Sequence, residues 1–381
     1  MAEVQYAKGL EGVIAAESQI CRIDGEKGQL YYLGYPIQEL VEQCSFEEVV
    51  YLLLYGELPT EGQFTHFSSR MRSGRDISDP IKTMLRDFPH DSHPMEVLQS
   101  VISYLSGYVQ HKIEHDANCN CRSTLHQIAQ LTTAVAALHR FRSGEDYVTP
   151  RIDLSHGANF LYMLRGEEPS EMEGQIMDDC LTLHAEHSFN ASTFTARVVA
   201  STLSTCYCSI SAAIGALYGS LHGGANEKVM NMVDEIGSPE KAEAWVDKAL
   251  SEKRKVMGMG HRVYRAKDPR AIIMEDFLQK LSAEKGDTRY FETLKEIERV
   301  FRDRMEEKGK PIYPNVDFFS GAVYRLLGIP TELFTPVFAM ARSAGWLAHI
   351  LEQRADNRLF RPKALYNGKE GLKVTPIAER G

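Results

Sequence analysis

The chain has 381 residues, and at roughly 150 residues per domain this length predicts two or three domains. Its 43% hydrophobic and 25% charged residues argue against collagen-like, rod-like, disordered and disulfide-stapled classes. The 43 Lys and Arg residues face 52 Asp and Glu residues, which gives a net charge of −9. This balance argues against a nucleic-acid-binding protein, and an anionic substrate would need a local cluster of basic side chains.

The cysteines and the N-terminal segment bear on the cellular compartment. Seven cysteines at irregular spacing form no disulfide framework, which is typical of a reducing compartment. Residues 1–13 lack the apolar core of a secretory signal and the pattern of an import signal. The most apolar long segment, residues 194–218, contains Arg197 and many Ser and Thr residues, so we do not expect it to span a membrane. We therefore expect a cytoplasmic protein without a membrane partner.

In chain order, the first predicted element is a small β-hairpin. Its strands would be residues 20–23 and 29–33, which flank the turn Gly25-Glu26-Lys27-Gly28. Ser45 and Glu48 then form a capping box that predicts a helix start, and this helix would end at Gly56.

Helical periodicity dominates the rest of the chain. One helix is predicted to begin at Ser238-Pro239. Two more are predicted within residues 272–306, separated near residues 285–287, and another over residues 332–353. No alternation of strands and helices appears. The predicted class is therefore all-α, with a minor N-terminal β-hairpin.

Residues 191–219 are rich in Ser, Thr and Ala and poor in large side chains. Small side chains let helix backbones approach closely, so this segment is predicted to form a buried helix or helix pair. Both a plain core helix and a subunit interface are consistent with the composition.

Four segments place ionisable residues beside Gly, Pro or Asn. They are residues 184–192 (HAEHSFNAS), 221–226 (LHGGAN), 257–270 (MGMGHRVYRAKDPR) and 313–321 (YPNVDFFSG).

Two histidines in these segments are candidate functional residues. His222 lies between the small-residue segment and a predicted helix at 226–236, where free backbone N–H groups at the helix start would orient its ring or bind an anion. His261 follows Gly258 and Gly260, which allow close backbone approach. For each histidine the alternative is a structural role in a turn. The Gly-x-Gly pair lacks the preceding strand and third Gly of a dinucleotide site.

Asp317 is the candidate general base. It lies between Val316 and two phenylalanines, and desolvation in such surroundings raises the pKa of a carboxyl group. A raised pKa suits proton abstraction from a weak carbon acid. The alternative is an ordinary aspartate at a helix start, with Asn315 as turn punctuation.

Three arginines are candidates for carboxylate recognition, because a guanidinium binds a carboxylate through two parallel hydrogen bonds. Arg342 is the most informative, since it lies in an apolar run where a charge needs a partner. For Arg270 and Arg361 a surface salt bridge is the alternative.

A metal site and a cofactor are both judged absent from the sequence. Five candidate ligands lie within sixteen residues: His111, His115, Cys119, Cys121 and His126. Their spacing matches no standard zinc pattern, and the chain contains neither a Walker loop nor a Gly-x-Ser-x-Gly elbow. We expect no metal and no cofactor.

Taken together and in order, the four segments resemble signatures of the citrate synthase family. Further matching motifs are Gly9-Leu10-Glu11-Gly12-Val13, His93-Pro94-Met95 and Arg361-Pro362-Lys363. The resemblance covers nearly the whole chain. Each motif alone is modestly specific, but all of them in register are highly specific.

The resemblance implies an all-α homodimer with two domains. The large domain would comprise residues 1–221 and 329–381, the small domain would comprise residues 222–328, and the active site would lie in the cleft between them. Catalytic roles would fall on His222, His261 and Asp317, and oxaloacetate binding on His187, Arg270, Arg342 and Arg361, with Arg361 supplied by the partner subunit. Arg265, Lys255, Lys308 and Lys310 are the candidates for coenzyme A phosphates.

The activity implied by the resemblance is condensation of acetyl-CoA with oxaloacetate, followed by hydrolysis of citryl-CoA to citrate and CoA. A 2-methylcitrate synthase acting on propionyl-CoA is an alternative, since one methylene changes binding by only about 1–3 kcal/mol. A non-catalytic helical scaffold is a second alternative, against which the presence of all three catalytic candidates argues.

Overall fold

The computed structural model describes residues 6–108 and 122–380 and confirms the all-α class. Sixteen helices lie within these ranges, accompanied by one small sheet. They are α1 Ile37–Gln43, α2 Phe46–Tyr55, α3 Glu61–Ser73, α4 Asp79–Asp87, α5 Pro94–Ser106, α6 Arg122–Arg142, α7 His156–Arg165, α8 Glu171–Ala185, α9 Ala191–Ser201, α10 Cys206–Tyr218, α11 Ala225–Ile236, α12 Ala242–Ser251, α13 Pro269–Lys285, α14 Arg289–Glu306, α15 Val316–Leu326 and α16 Phe334–Ala355.

The predicted hairpin is present but belongs to a slightly larger sheet. Strands β1 (Cys21–Asp24) and β2 (Gln29–Tyr32) pair antiparallel, with Cys21 opposite Tyr32. A two-residue strand β3 (Tyr35–Pro36), which the sequence did not predict, pairs with β2. The sheet is therefore three-stranded, in the order β1-β2-β3.

Local capping chemistry explains where several helices begin and end. The Ser45–Glu48 capping box opens α2 as predicted, and Gly56 ends it in the left-handed conformation with φ 86°. The helix predicted to begin at Ser238-Pro239 begins instead with a short 3-10 turn, Pro239–Lys241, before α12. This difference reflects the tighter geometry that first helical turns often adopt.

Helix α16 forms the centre of the larger core. It packs against α2, α5, α6, α8, α9 and α10. Its side chains are buried along almost its whole length, Trp346 included. A helix that is buried on all sides positions its polar side chains rigidly, which matters for the one arginine in its middle, Arg342.

The small-residue segment forms a helix pair, as predicted. Helix α9 ends at Ser201, and Leu203 adopts a positive φ of 64° before α10 begins. The two helices pack against each other, and α10 also packs against α5. Whether this pair contributes to a subunit interface stays a prediction.

Helices α11–α15 lie within residues 222–328, the range predicted for a small domain. Helix α13 packs against α15, and α12 packs against α14. The division into two domains at these residues stays a prediction. No helix in the described part of the chain combines the length and hydrophobicity that crossing a membrane requires.

Candidate active site

Six of the predicted site residues line one cavity of about 690 Å³. They are His187, His222, His261, Arg270, Asp317 and Arg342. These residues come from all four of the segments singled out in the sequence and from the middle of α16. The fold therefore brings together groups that are up to 155 positions apart in the chain.

His222 lies in the bend between α10 and α11, and its ring is oriented by the start of α9. The Ser192 backbone N–H donates to His222 Nε2 over 3.2 Å, and Ser192 Oγ lies 2.9 Å from the same nitrogen. A peptide N–H can only donate, so Nε2 is unprotonated and Nδ1 carries the ring proton. Burial, with a smaller contribution from Arg342, lowers the pKa of His222 to about 4. At neutral pH the ring is thus a neutral donor.

His261 has the opposite tautomer. Its Nδ1 accepts from the backbone N–H groups of Val263 at 3.0 Å and Tyr264 at 3.2 Å, so Nε2 carries the proton. Burial first, and then the nearby Arg270 cation, lowers the pKa of His261 to about 4. A second neutral donor therefore faces the cavity.

The two predicted close-approach glycines hold His261 beside the segment of Asp317. Gly258 has φ 76°, and a Cβ on it would lie 2.8 Å from the Cα of Phe318. The Gly260 N–H donates to the Tyr313 carbonyl over 2.8 Å, and Asn315 Nδ2 donates to the Gly260 carbonyl over 2.8 Å. Hydrogen bonds therefore join the segment of His261 directly to the segment of Asp317.

Asp317 occupies the second position of α15, and the helix cap is Asn315, whose side chain accepts from the Asp317 N–H over 3.0 Å. No described residue donates a hydrogen bond to the half-buried carboxylate of Asp317. Burial raises its pKa to about 6, although Arg270 and Arg342 partly oppose the shift. Desolvation thus outweighs both the helix dipole and two cations, which suits a base.

Arg270 and Arg342 are both buried, but among the described residues only Arg270 has a counter-ion. Arg270, 3% exposed, forms two hydrogen bonds to Asp268, at 3.0 and 2.7 Å. Burial alone would lower the pKa of Arg270, but the Asp268 charge outweighs it and raises the pKa.

Arg342, 2% exposed, donates from Nε to the His184 carbonyl over 2.7 Å and stacks on Phe338. Among the described residues, none offers it a carboxylate within ion-pair distance. Burial lowers the pKa of Arg342, as expected for an uncompensated cation. A ligand carboxylate in the cavity would supply the missing charge.

His187 lies between these groups. Its Nε2 is 3.2 Å from the Tyr264 hydroxyl, and its ring makes an edge contact with His261 at a centroid distance of 5.3 Å. Burial, and then the Arg270 charge, hold the pKa of His187 well below its usual value. His187 is therefore also a neutral imidazole, and it places a further hydrogen-bonding group beside the arginines.

Five predicted site residues lie away from this cavity. Arg361 is exposed in the C-terminal segment, where it borders a separate groove with the chain's N-terminal residues. The four coenzyme A candidates, Arg265, Lys255, Lys308 and Lys310, are exposed and do not line the cavity. The structure of the single chain therefore does not gather these five with the other six.

The residues considered for a metal lie mostly outside the described residues. This holds for His111, His115, Cys119 and Cys121, whereas His126 is described. Within residues 6–108 and 122–380 no group of three His, Cys, Asp or Glu side chains is placed to hold a metal ion.

Sequence reasoning missed four contributors to the site. Ser192 orients His222, Tyr264 contacts His187, Asn315 joins two segments, and the exposed Arg262 lines the cavity. All four lie within the segments singled out in the sequence. Asn190-Ala191-Ser192 has the pattern of a helix start whose free N–H groups seek acceptors, which was the available signal for Ser192.

Comparison with known proteins is consistent with this geometry. The family model for the citrate synthase C-terminal domain matches residues 9–363. A citrate synthase of Synechocystis sp. is 46% identical over 375 residues, covering 98% of this chain and 94% of the relative. A 2-methylcitrate synthase of Corynebacterium glutamicum is 42% identical over 386 residues and covers both chains completely.

Solved structures agree with the sequence comparison. A citrate synthase from Thermoplasma acidophilum, solved as a ternary complex with carboxymethyl coenzyme A and oxaloacetate, superposes with a TM-score of 0.92 at 33% identity. The match covers 99% of this chain and 100% of that structure. The chain therefore belongs to the citrate synthase family of acyltransferases.

Proposed function

We propose that this protein condenses acetyl-CoA with oxaloacetate and hydrolyses the resulting citryl-CoA to citrate and CoA. The observation that carries the proposal is the convergence of a carboxylate base, two neutral imidazole donors and a buried, uncompensated guanidinium on one cavity. A base, two hydrogen-bond donors and a carboxylate-binding cation together suit a carbon–carbon condensation between a thioester and a keto dicarboxylate.

The first step is enolisation of acetyl-CoA. Asp317, ionised above pH about 6, takes a proton from the methyl group. His222 donates from Nδ1 to the thioester oxygen as negative charge develops there. Removal of one such donor typically costs about 10²- to 10³-fold in turnover.

The second step forms the carbon–carbon bond. The enol carbon attacks the ketone carbon of oxaloacetate, and the electron pair of the carbonyl moves to its oxygen. His261 donates to this oxygen from Nε2 and supplies its proton. The proton that Asp317 took from the methyl group balances this loss, so that exchange with solvent returns both side chains to their starting states. Water then attacks the thioester, and the C–S bond breaks to release citrate and the CoA thiol. Because the enol supplies the electron pair, we propose that the reaction needs neither metal nor cofactor.

Oxaloacetate is bound and oriented by Arg342, Arg270 and His187. Arg342 has the greatest need for a ligand carboxylate, because Arg270 already binds Asp268. Holding the substrate in this way fixes the reacting carbon in advance, which lowers the entropic part of the barrier.

Coenzyme A would bind at the outer part of the site. We propose that the exposed cations Arg265, Lys255, Lys308 and Lys310 contact its phosphates once residues 222–328 close as a small domain over the rest. Closure would exclude water from the condensation and protect the thioester.

The proposal is tested by release of free thiol from acetyl-CoA in the presence of oxaloacetate, with propionyl-CoA in a parallel assay. We expect kcat/KM for acetyl-CoA to exceed that for propionyl-CoA. The reverse order would establish 2-methylcitrate synthesis, which the 42% identity to a 2-methylcitrate synthase keeps as the second candidate. No thiol release with either substrate would overturn the proposed function.

We also propose that the protein acts as a homodimer in which Arg361 reaches the partner's cavity. Several apolar side chains of the C-terminal segment are exposed in the single chain: Leu359, Leu365, Tyr366, Leu372, Val374 and Ile377. Exposed apolar side chains in such number favour a protein contact. Within the described part of the chain Arg361 binds only the carbonyl of its neighbour Pro362, which leaves its guanidinium available to a second copy.

Mixed dimers test the origin of Arg361. Arg361→Ala and Asp317→Asn subunits are each expected to be nearly inactive as homodimers. Co-expressed, they should recover about a quarter of wild-type activity, because about half of the dimers are mixed and each keeps one intact site. No recovery in verified mixed dimers would place Arg361 outside the partner's site.

A further inference from the structure

The turn between β1 and β2 contacts the segment that follows His261. The Arg265 backbone N–H donates to the Gly25 carbonyl over 2.9 Å. A Cβ on Gly25 would overlap the Val263 carbonyl oxygen and lie 3.0 Å from its carbon. The turn and residues 263–265 therefore touch backbone to backbone, at a distance that only glycine permits.

A second glycine widens this contact. A Cβ on Gly28 would lie 2.9 Å from the Lys267 carbonyl oxygen and 3.3 Å from the Ala266 Cβ. The turn itself is held by Asp24, whose Oδ1 accepts from the Lys27 N–H over 3.0 Å. Four of the five residues in the segment 263–267 therefore lie close to this turn.

This segment determines where His261 points. His261 Nδ1 accepts from the N–H groups of Val263 and Tyr264, so displacement of these two residues displaces the ring. The far end of the segment is fixed by Lys267, which pairs with Glu275 at 2.6 Å and Glu298 at 2.7 Å. The turn therefore supports the backbone between His261 and Lys267.

The opposite end of the hairpin holds the segment of His187. The fully buried Tyr32 hydroxyl accepts from the Glu186 N–H over 3.2 Å and lies 2.9 Å from the Glu186 carbonyl. It also lies 3.1 Å from the Thr182 carbonyl in the last turn of α8. One hydroxyl therefore fixes both polar backbone groups of the residue that precedes His187.

We propose that the β1–β2 hairpin is a positioning element for the oxaloacetate subsite. Gly25 fixes the backbone that orients His261, and Tyr32 fixes the backbone that carries His187. Ile23, on the strand between them, lines the cavity itself. This inference rests on the proposed function, because the proposed function assigns His187 and His261 to oxaloacetate.

Gly25→Ala is the direct test. Gly25 lies outside the left-handed region, so alanine adds a clash with Val263 without backbone strain. We expect kcat/KM for oxaloacetate to fall about 10- to 100-fold, as misplacement by about 1 Å does, while KM for acetyl-CoA stays within about twofold. Gly62→Ala in α3 is the matched control, since apart from its own helix backbone and chain neighbours no atom of the described residues lies within 4 Å of the added Cβ.

Tyr32→Phe and Asp24→Ala extend the test to the other end of the hairpin and to the turn. Tyr32→Phe removes only the hydroxyl and should raise KM for oxaloacetate in the same selective way. Asp24→Ala removes the hydrogen bond that holds the turn without changing residues 263–267. If Gly25→Ala does not fold, the oxaloacetate kinetics of Asp24→Ala test the positioning role instead.

The outcomes separate this inference from the proposed function. Inactive wild-type protein would refute the proposed function. Active wild-type protein with unchanged oxaloacetate kinetics in folded Gly25→Ala, or with equal changes in both KM values, would refute the positioning role. A lower melting temperature without a kinetic change would show that the hairpin is only structural.

Discussion

Two regions of this molecule bury arginines beside acidic groups, and they differ in how completely the charges are paired. Around Glu47 in α2, which is 1% exposed, Arg72 donates from Nε and Nη2, and Arg75 donates over 3.0 Å. Arg75 also donates to the carbonyls of Arg151 and Leu154. Each carboxylate oxygen of Glu47 thus accepts hydrogen bonds from within the chain.

The cavity also contains buried arginines and a carboxylate, but these charges are less completely paired within the chain. Arg342 has no carboxylate partner among the described residues, and no described donor reaches the carboxylate of Asp317. Burying charge without pairing costs stability, so such groups persist where a ligand or a reaction needs them. The comparison shows that buried charge alone does not mark a site, and that the cavity differs from the Glu47 region in holding a buried arginine without a carboxylate partner among the described residues.

The largest expected effect is that of Asp317→Asn. The amide cannot accept the methyl proton, and turnover should fall about 10⁴-fold, within the range seen when members of a catalytic group are removed. Steady-state thiol release measures this loss. A variant that retained more than a tenth of wild-type turnover would contradict the assignment of Asp317 as the base.

The same substitution should stabilise the protein. The pKa of Asp317 is about 6 in the folded chain and 3.8 as its ordinary value, so at pH 7 ionisation opposes folding. Removing the charge should raise the free energy of unfolding by about 1–3 kcal/mol. The gain should vanish as the pH falls from about 6 toward 4, which urea denaturation at several pH values would measure.

Arg342→Leu and Arg75→Leu should separate the two regions most directly. Loss of Arg342 should lower kcat/KM for oxaloacetate about 10²- to 10³-fold, with unfolding free energy changed by less than about 1 kcal/mol. Loss of Arg75 should leave kinetics unchanged but cost about 3–5 kcal/mol, because Glu47 loses a buried partner. Equal destabilisation in both variants would mean that the two regions do not differ in how their charges are paired.

The smallest expected effect is the acid limb of the pH profile. Asp317 is the active base only when ionised, so kcat/KM should fall about tenfold per pH unit below its pKa of about 6. His222 and His261, with pKa values of about 4, stay neutral over this range and should not steepen the limb. An acid limb of kcat/KM with its midpoint near pH 4 would mean that the Asp317 carboxyl group is not desolvated during turnover.

Much of the fold was accessible to local reasoning. The Ser45 capping box, the turn at Gly25–Gly28 and the helix break near Gly286 all obey local rules of capping and turn formation, and the structure has each of them. The Pro239 turn and the extra strand β3 were missed, because such short elements depend on their neighbours more than on their own propensity.

The sequence by itself determined the helical class, the family and six residues that share the cavity, because periodicity, capping and motif order are written in consecutive positions. Only the tertiary structure decided that Ser192 sets the tautomer of His222, that Arg342 has no counter-ion among the residues described, and that Gly25 supports the segment of His261. Each of these depends on a distance between segments that are remote along the chain. Such distances are fixed by packing around α16 and the small sheet, which no local pattern specifies.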